Sequence, residues 1–241
     1  MSAHYYLGWD VGAWYCDTNA KSRDAILILD ESGTEVGRPY RGSLRRLIDG
    51  AGSTEEWLDA LFAACNLHPA ADARVTMAID TPLGFPVGFI DLLSRAQAFD
   101  TVGERRANPY LFRATERHLF ALGWSPMSAI ESMIGSQATK GMHLLARFAP
   151  DRTSCGVWRG GDRFTAIETY PTPCRTSATI SEKLRGRSDL PHDDLRDARL
   201  CALVAYLFGT DREVLTSPPP EIPEREGWIW IPRDVTAPRR K

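Results

Sequence analysis

Tyr5-Tyr6-Leu7-Gly8-Trp9-Asp10 and Val75-Thr76-Met77-Ala78-Ile79-Asp80 are two apolar runs that each close on an aspartate, and the rest of the chain is read outward from them. Short apolar runs rich in β-branched and aromatic residues and bounded by turn residues read as buried strands. A third run, Phe164-Thr165-Ala166-Ile167, closes on Glu168, and Asp194 and Asp197 open a helix continuing through Leu200-Cys201-Ala202-Leu203-Val204. Carboxylates at the tips of neighbouring strands point the same way into poorly solvated space. Several of them together repel one another unless a cation sits among them.

Between the two aspartate strands, residues 25–29 form a second apolar run, a Glu31-Ser32-Gly33 turn follows, and a third strand is expected near Val36. That order predicts an antiparallel opening meander. Ser53 or Thr54 can cap a helix carrying Glu55 and Glu56 in its first turn and Trp57, Leu58, Leu61 and Phe62 on one face. After Asp80, prolines at 82 and 86 cannot continue a central ladder, so Thr81 to Pro86 is a fixed turn over a strand end. Residues 87–150 read as a helical insertion over one sheet edge, with segments near 89–98, 112–122 and 128–148. Strands near 155–158 and 164–169 flank Arg159-Gly160-Gly161-Asp162, a hairpin turn, and the last helix is expected at about 194–208. The expectation is an α/β fold: one domain over residues 1–217, with a mixed, partly antiparallel sheet flanked by helices. Residues 218–241 form a proline-rich C-terminal extension. Its Trp228-Ile229-Trp230-Ile231 run is either an edge open to another subunit or an internal strand, and Arg239-Arg240-Lys241 is expected to be a disordered tail.

Of the 241 residues 43% are hydrophobic and 25% charged, which supplies a sizeable core. The net charge of −2 argues against a broad basic face for long duplexes but leaves room for a local basic groove. No apolar run approaches the ~20 residues of a membrane span, and the first residues enter a strand rather than a signal sequence. Five widely spaced cysteines without a CxxC pair read as reduced thiols in a cytoplasmic protein. Oligomeric state is open at this stage.

Taken singly, each acid has an ordinary explanation. Asp194 and Asp197, at i and i+3 in a first helical turn, suit capping, and Asp10 and Asp80 can begin turns. Taken together they match two-metal hydrolysis of phosphodiesters, which needs several carboxylates around a pair of hard cations.

Five motifs follow one another in order: Ala78-Ile79-Asp80-Thr81-Pro82-Leu83-Gly84-Phe85-Pro86, Phe112-Arg113-Ala114-Thr115-Glu116-Arg117, Ile134-Gly135, Ile167-Glu168-Thr169-Tyr170-Pro171, and His192-Asp193-Asp194 to Asp197-Ala198. With Gly8-Trp9-Asp10-Val11-Gly12 before them, they resemble the domain of unknown function 429 family over roughly residues 5–209. That family is described as predicted ribonuclease-H-like nucleases. The resemblance implies a ribonuclease-H-like fold and a metal-dependent nuclease using Mg²⁺ or Mn²⁺ on nucleic acid. By motif position the metal ligands are Asp10, Asp80, Asp194 and Asp197, and Glu168 is a catalytic carboxylate that is either an added ligand or a group beside the metals. Two departures fall in the insertion: Glu116 stands where the pattern has an aspartate, and the aspartate expected near Ser132 is missing.

Arg113 and Arg117, at i and i+4, are candidates for a substrate phosphate clamp, with Arg105 and Arg106 nearby and Lys140 and His143 as weaker candidates. His192, just before the acidic helix, is a candidate substrate-binding residue and proton donor to the leaving group. Two other classes stay open. One is a nucleotide-binding protein of the actin and sugar-kinase type, which also opens on Asp-x-Gly but needs a second glycine-rich phosphate loop. The other is an inactive scaffold that binds a partner. No GxxxxGK[ST] or GxSxG pattern is present.

Overall fold

A computed structural model describes residues 2–19 and 21–235. The Arg239-Arg240-Lys241 tail lies outside the described residues. The opening meander is β1 (His4–Asp10), β2 (Asp24–Leu29) and β3 (Glu35–Gly42), antiparallel throughout. Ser53 caps α2 (Thr54–Ala64) by accepting the Glu56 N–H at 3.2 Å, after a short α1 (Arg45–Gly50) that the sequence reading did not foresee. β4 (Arg74–Asp80) then lies parallel to β1, with Asp10 directly opposite Asp80.

The insertion holds α3 (Val87–Arg95), α4 (Ala114–Ala121) and α5 (Gly135–Phe148). α5 begins later than expected, because residues 128–133 form turns in which Ser128 Oγ accepts N–H groups from Ile130 and Glu131 and Met133 takes φ 55°. β5 (Asp151–Ser154), β6 (Val157–Gly160) and β7 (Phe164–Thr169) follow as antiparallel neighbours, and β7 runs parallel to β4. After α6 (Pro171–Cys174), α7 (Ala178–Leu184) and α8 (Asp193–Thr210) comes β8 (Ile229–Trp230), which pairs with the end of β7. The sheet order is β3-β2-β1-β4-β7-β6-β5, with β8 beside β7. This is an α/β domain whose mixed sheet carries helices on both faces.

Residues 228–231 are therefore not an appended extension. Trp228, Ile229, Trp230 and Ile231 are all buried in the main core, and the Trp230 indole donates to the Gly156 carbonyl at 3.0 Å. The run is internal and offers no edge to a second subunit.

Strand alternation sorts side chains onto two faces. Leu7, Trp9, Ile26, Ile28, Met77, Ile79 and Ala166 face α1, α2 and α5. Tyr6, Ala25, Leu27, Ala78 and Ile167 face α8. Small residues let α8 lie close to the sheet. A Cβ on Gly8 would stand 1.9 Å from the Ala198 carbonyl oxygen and 2.2 Å from the Ala202 nitrogen, so only glycine admits the helix at that depth. This close approach carries the first turns of α8 to the C-terminal tips of β1 and β4. Among the described residues no helix is long and apolar enough to cross a membrane.

Candidate metal centre

Asp10 and Asp80 sit side by side at the ends of parallel neighbours, on the face that α8 covers. Asp197, from the second turn of α8, joins them in lining a cavity of about 410 Å³. The floor is acidic. The walls are Val11, Ser22, Pro82, Thr169, Tyr170, Thr172 and Ile229, with Pro126, Met127, Ile134 and Gln137 from the insertion. Among the described residues no lysine or arginine lines it.

Burial, followed by repulsion from Asp80, Asp197 and Asp194, pushes the Asp10 carboxyl up to about 9. Asp80 is pushed up to about 8, again chiefly by burial, with Asp197 and Glu168 adding repulsion. Asp197 is raised by burial even though Arg175 beside it pulls the other way. Among the described residues, neither the Asp10 nor the Asp80 carboxylate accepts a hydrogen bond or forms an ion pair. The neighbouring Thr81 hydroxyl, also part of the cavity wall, is buried without a partner.

Glu168 reaches the cavity wall by a different route. It stands opposite Ile79, not Asp80, so strand alternation starts its side chain on the other face of the sheet. There it is held by Arg113, whose guanidinium donates to Oε1 at 2.5 Å and Oε2 at 2.8 Å, and by the Leu83 N–H at 2.9 Å. Thr169 takes the register position beside Asp80 and donates its hydroxyl to the Trp230 carbonyl. The row across the three parallel tips is thus Asp10, Asp80, Thr169.

Arg113 is not a surface clamp. It is 1% exposed, bridges Glu168 and Glu116, and donates to the Glu226 carbonyl at 2.9 Å. Burial opposes its charge, but the two glutamates raise its pKa and hold the charge in place. Glu116, which stands where the family pattern has an aspartate, is a fully buried partner in this network and accepts the Arg113 N–H at 2.8 Å at the start of α4. Arg117 is half-buried and lines no part of the cavity. Lys140 is buried against Asp24, which also accepts from the Trp9 indole and the Gly12 and Leu44 N–H groups. His143 is exposed and packs on Trp14.

Asp194 lies one helical turn before Asp197 but away from the cavity floor. Its carboxylate accepts from Arg41 Nε at 2.8 Å and from the Arg23 N–H at 3.1 Å, tying α8 to β3 and to the entry of β2. His192 is exposed beside it, in a separate surface depression with Lys21, Arg41 and Arg196. The structure thus brings Asp10, Asp80 and Asp197 together with Glu168 at the rim, and it leaves Asp194, Arg113, Arg117 and His192 outside the cavity.

Arg175, which the sequence reading missed, sits just past α6 and pairs with Asp197 while half its side chain remains exposed. The signal was present: a cation six residues beyond Thr169 must lie near the tip that β7 reaches. Among the described residues no three Asp, Glu, His or Cys side chains form a ready-made ligating group. The donor set still suits a hard divalent cation, being all carboxylate oxygen, with two members lacking any other partner. The chain matches no family model, no curated protein and no solved structure.

Proposed function

We propose that the protein is a ribonuclease-H-like, divalent-metal-dependent nuclease of the domain of unknown function 429 type. The observation that supports it most is the pair of carboxyl groups at Asp10 and Asp80, side by side at the tips of β1 and β4 and without a partner among the described residues, with Asp197 lining the same cavity. An antiparallel meander continued by two parallel strands, with acids at the first strand and the last long helix, agrees with the fold that the motif order implies.

Asp10, Asp80 and Asp197 would hold Mg²⁺ or Mn²⁺, and Asp194 would not. Bound there, a divalent cation supplies charge neutralisation at a phosphate and lowers the pKa of a water beside the scissile bond. The chain's own groups do the rest. Asp10 and Asp80 would serve as ligands in their deprotonated forms, and Asp197, paired with Arg175, would supply the third carboxylate. Tyr170, Thr172, Ser22 and Gln137 are neutral hydrogen-bonding groups on the walls, suited to sugar and base edges. The tips of β1 and β4 supply a rigid frame, so little reorganisation is needed at the reacting phosphate. Five buried, free cysteines fit a reducing compartment, and we place the protein in the cytoplasm.

The kinase-like alternative requires phosphate-binding glycines after a later strand. After β7 the chain runs Tyr170-Pro171-Thr172-Pro173, which offers neither glycine nor a run of free N–H groups.

The test is cleavage of labelled DNA and RNA strands with Mg²⁺ or Mn²⁺, comparing parent, Asp10→Asn and Asp197→Asn. The proposal expects metal-dependent cleavage that both substitutions abolish. Undiminished cleavage by both variants would show that the activity does not use this cavity.

A further inference from the structure

A second depression, of about 250 Å³, adjoins the acidic cavity and shares Pro126 and Met127 with it. Its lining is of a different kind: Arg105, Arg106, Phe112, Phe120, Ser125 and Glu131 are among its residues. Arg106 stacks over the Phe120 ring at 5.0 Å from the centroid and reaches Ser125 Oγ at 3.5 Å, while Phe120 meets Phe112 edge-on at 4.9 Å. Arg105 is 76% exposed and pairs with Glu131. Met127, on the shared ridge, is 58% exposed.

Resting on the nuclease reading of the acidic cavity, we infer that this depression is a second nucleotide subsite and that the substrate is a single strand. Among the described residues no lysine or arginine lines the acidic cavity, so strand affinity beyond the metal has to come from a neighbouring surface. Cations interleaved with ring faces are the combination that single strands use, with phosphates on arginines and bases stacked on aromatic or thioether surfaces. Arg105 and Arg106 provide the first, and Phe120 and Met127 the second. The shared ridge at Pro126 and Met127 sets one nucleotide over the acids and its neighbour over the arginines.

A duplex does not suit this shape. It is stiff over about 150 base pairs and carries its phosphates on the outside of a rod. The scissile phosphate must enter a cavity lined by Pro126, Met127, Ile134 and Gln137 together with Thr169, Tyr170 and Thr172, where Tyr170 donates to the Ser125 carbonyl at 3.3 Å. A flexible strand can pass one phosphate into that space.

The experiment is fluorescence anisotropy with end-labelled 12-nucleotide single strands of DNA and RNA, and with the corresponding duplexes, in Ca²⁺ over a salt series. The parent is compared with the Arg105→Ala/Arg106→Ala variant, and both are titrated calorimetrically with Mn²⁺. Single strands should bind the parent at least tenfold more tightly than duplexes. The variant should lose roughly five- to twentyfold in strand affinity, and its log–log salt slope should fall by about 1.4, the release expected for two phosphates on a single strand. Equal strand affinity in parent and variant, equal or tighter binding of duplex, or no strand binding by the parent would each overturn the inference. Mn²⁺ binding separates the two claims. If the parent binds Mn²⁺ but strand affinity ignores Arg105 and Arg106, only the subsite fails. If the parent binds no Mn²⁺ while strand affinity depends on both arginines, the metal centre fails and the subsite stands.

Discussion

Asp10→Asn should stabilise the metal-free protein, and Mn²⁺ should reverse the order of stability. The folded state holds the Asp10 proton far more tightly than the unfolded chain, with a pKa near 9 against an ordinary 3.8. The contribution of Asp10 to stability is therefore full below about pH 4 and is lost as the pH climbs towards 9. Each unit of that interval costs about 1.4 kcal/mol, which sets a ceiling of roughly 5 kcal/mol by about pH 7.5. Water in the cavity screens the field, leaving about 1–3 kcal/mol, or roughly 3–9 °C in melting temperature for a chain of this size. Asparagine keeps the shape without the proton equilibrium, so in EDTA at about pH 7.5 the variant should melt higher, and at about pH 4 the two should converge. With Mn²⁺ at about a hundredfold its dissociation constant, the wild type gains about 2.7 kcal/mol, and the variant, missing a ligand, gains much less. Differential scanning fluorimetry in EDTA and in Mn²⁺ at both pH values reads all four corners. A variant less stable than wild type in EDTA at about pH 7.5 would refute the reasoning, because Asp10 would then have a compensating partner.

Arg175→Ala should raise Mn²⁺ affinity by roughly two- to fivefold, the worth of a half-exposed ion pair at about 0.5–1 kcal/mol, as read by calorimetry; weaker binding would show that Arg175 does not compete for Asp197. Arg113→Met should lower stability by about 3–5 kcal/mol, because it leaves the buried Glu168 and Glu116 carboxylates unpaired; a melting temperature within ~3 °C of wild type would contradict the network. Gly8→Ala should cost about 3 kcal/mol or more by forcing α8 off β1, with a matching loss of Mn²⁺ affinity as Asp197 is carried away from Asp10; intact metal binding would mean that the helix depth does not position the site.

The sequence shows the tips of β1 and β4 plainly, because each apolar run stops on an acid; that the two strands lie parallel with Asp10 opposite Asp80 comes from the fold. It does not show which way Glu168 points. Phe164, Ala166 and Ile167 are buried on both faces of β7, so no polar alternation marks the phase, and Glu168 falls one position short of the row that Asp10 and Asp80 begin. Asp194 and Asp197 share a helix face by spacing alone, and only the packing of α8 against β3, through Arg41, separates their roles. Arg113 and Arg117 share i, i+4 spacing in the same way, yet α4 buries one against Glu168 and leaves the other half-exposed. The proline-rich residues 218–223 set 218–241 apart as an extension, whereas the internal-strand alternative for residues 228–231 is the one that β8 realises. Residues 151–154 carry no apolar signal, and β5 forms only because the turn at Gly156 folds it onto β6.

The most direct test of the account is a crystal structure grown with Mn²⁺ and recorded at the manganese absorption edge. Anomalous density is expected between the Asp10 and Asp80 carboxylates, with Asp197 turned from Arg175 towards the ion and Asp194 still bound to Arg41. No manganese at these carboxylates at millimolar Mn²⁺, or an ion held instead by Asp194, would contradict it.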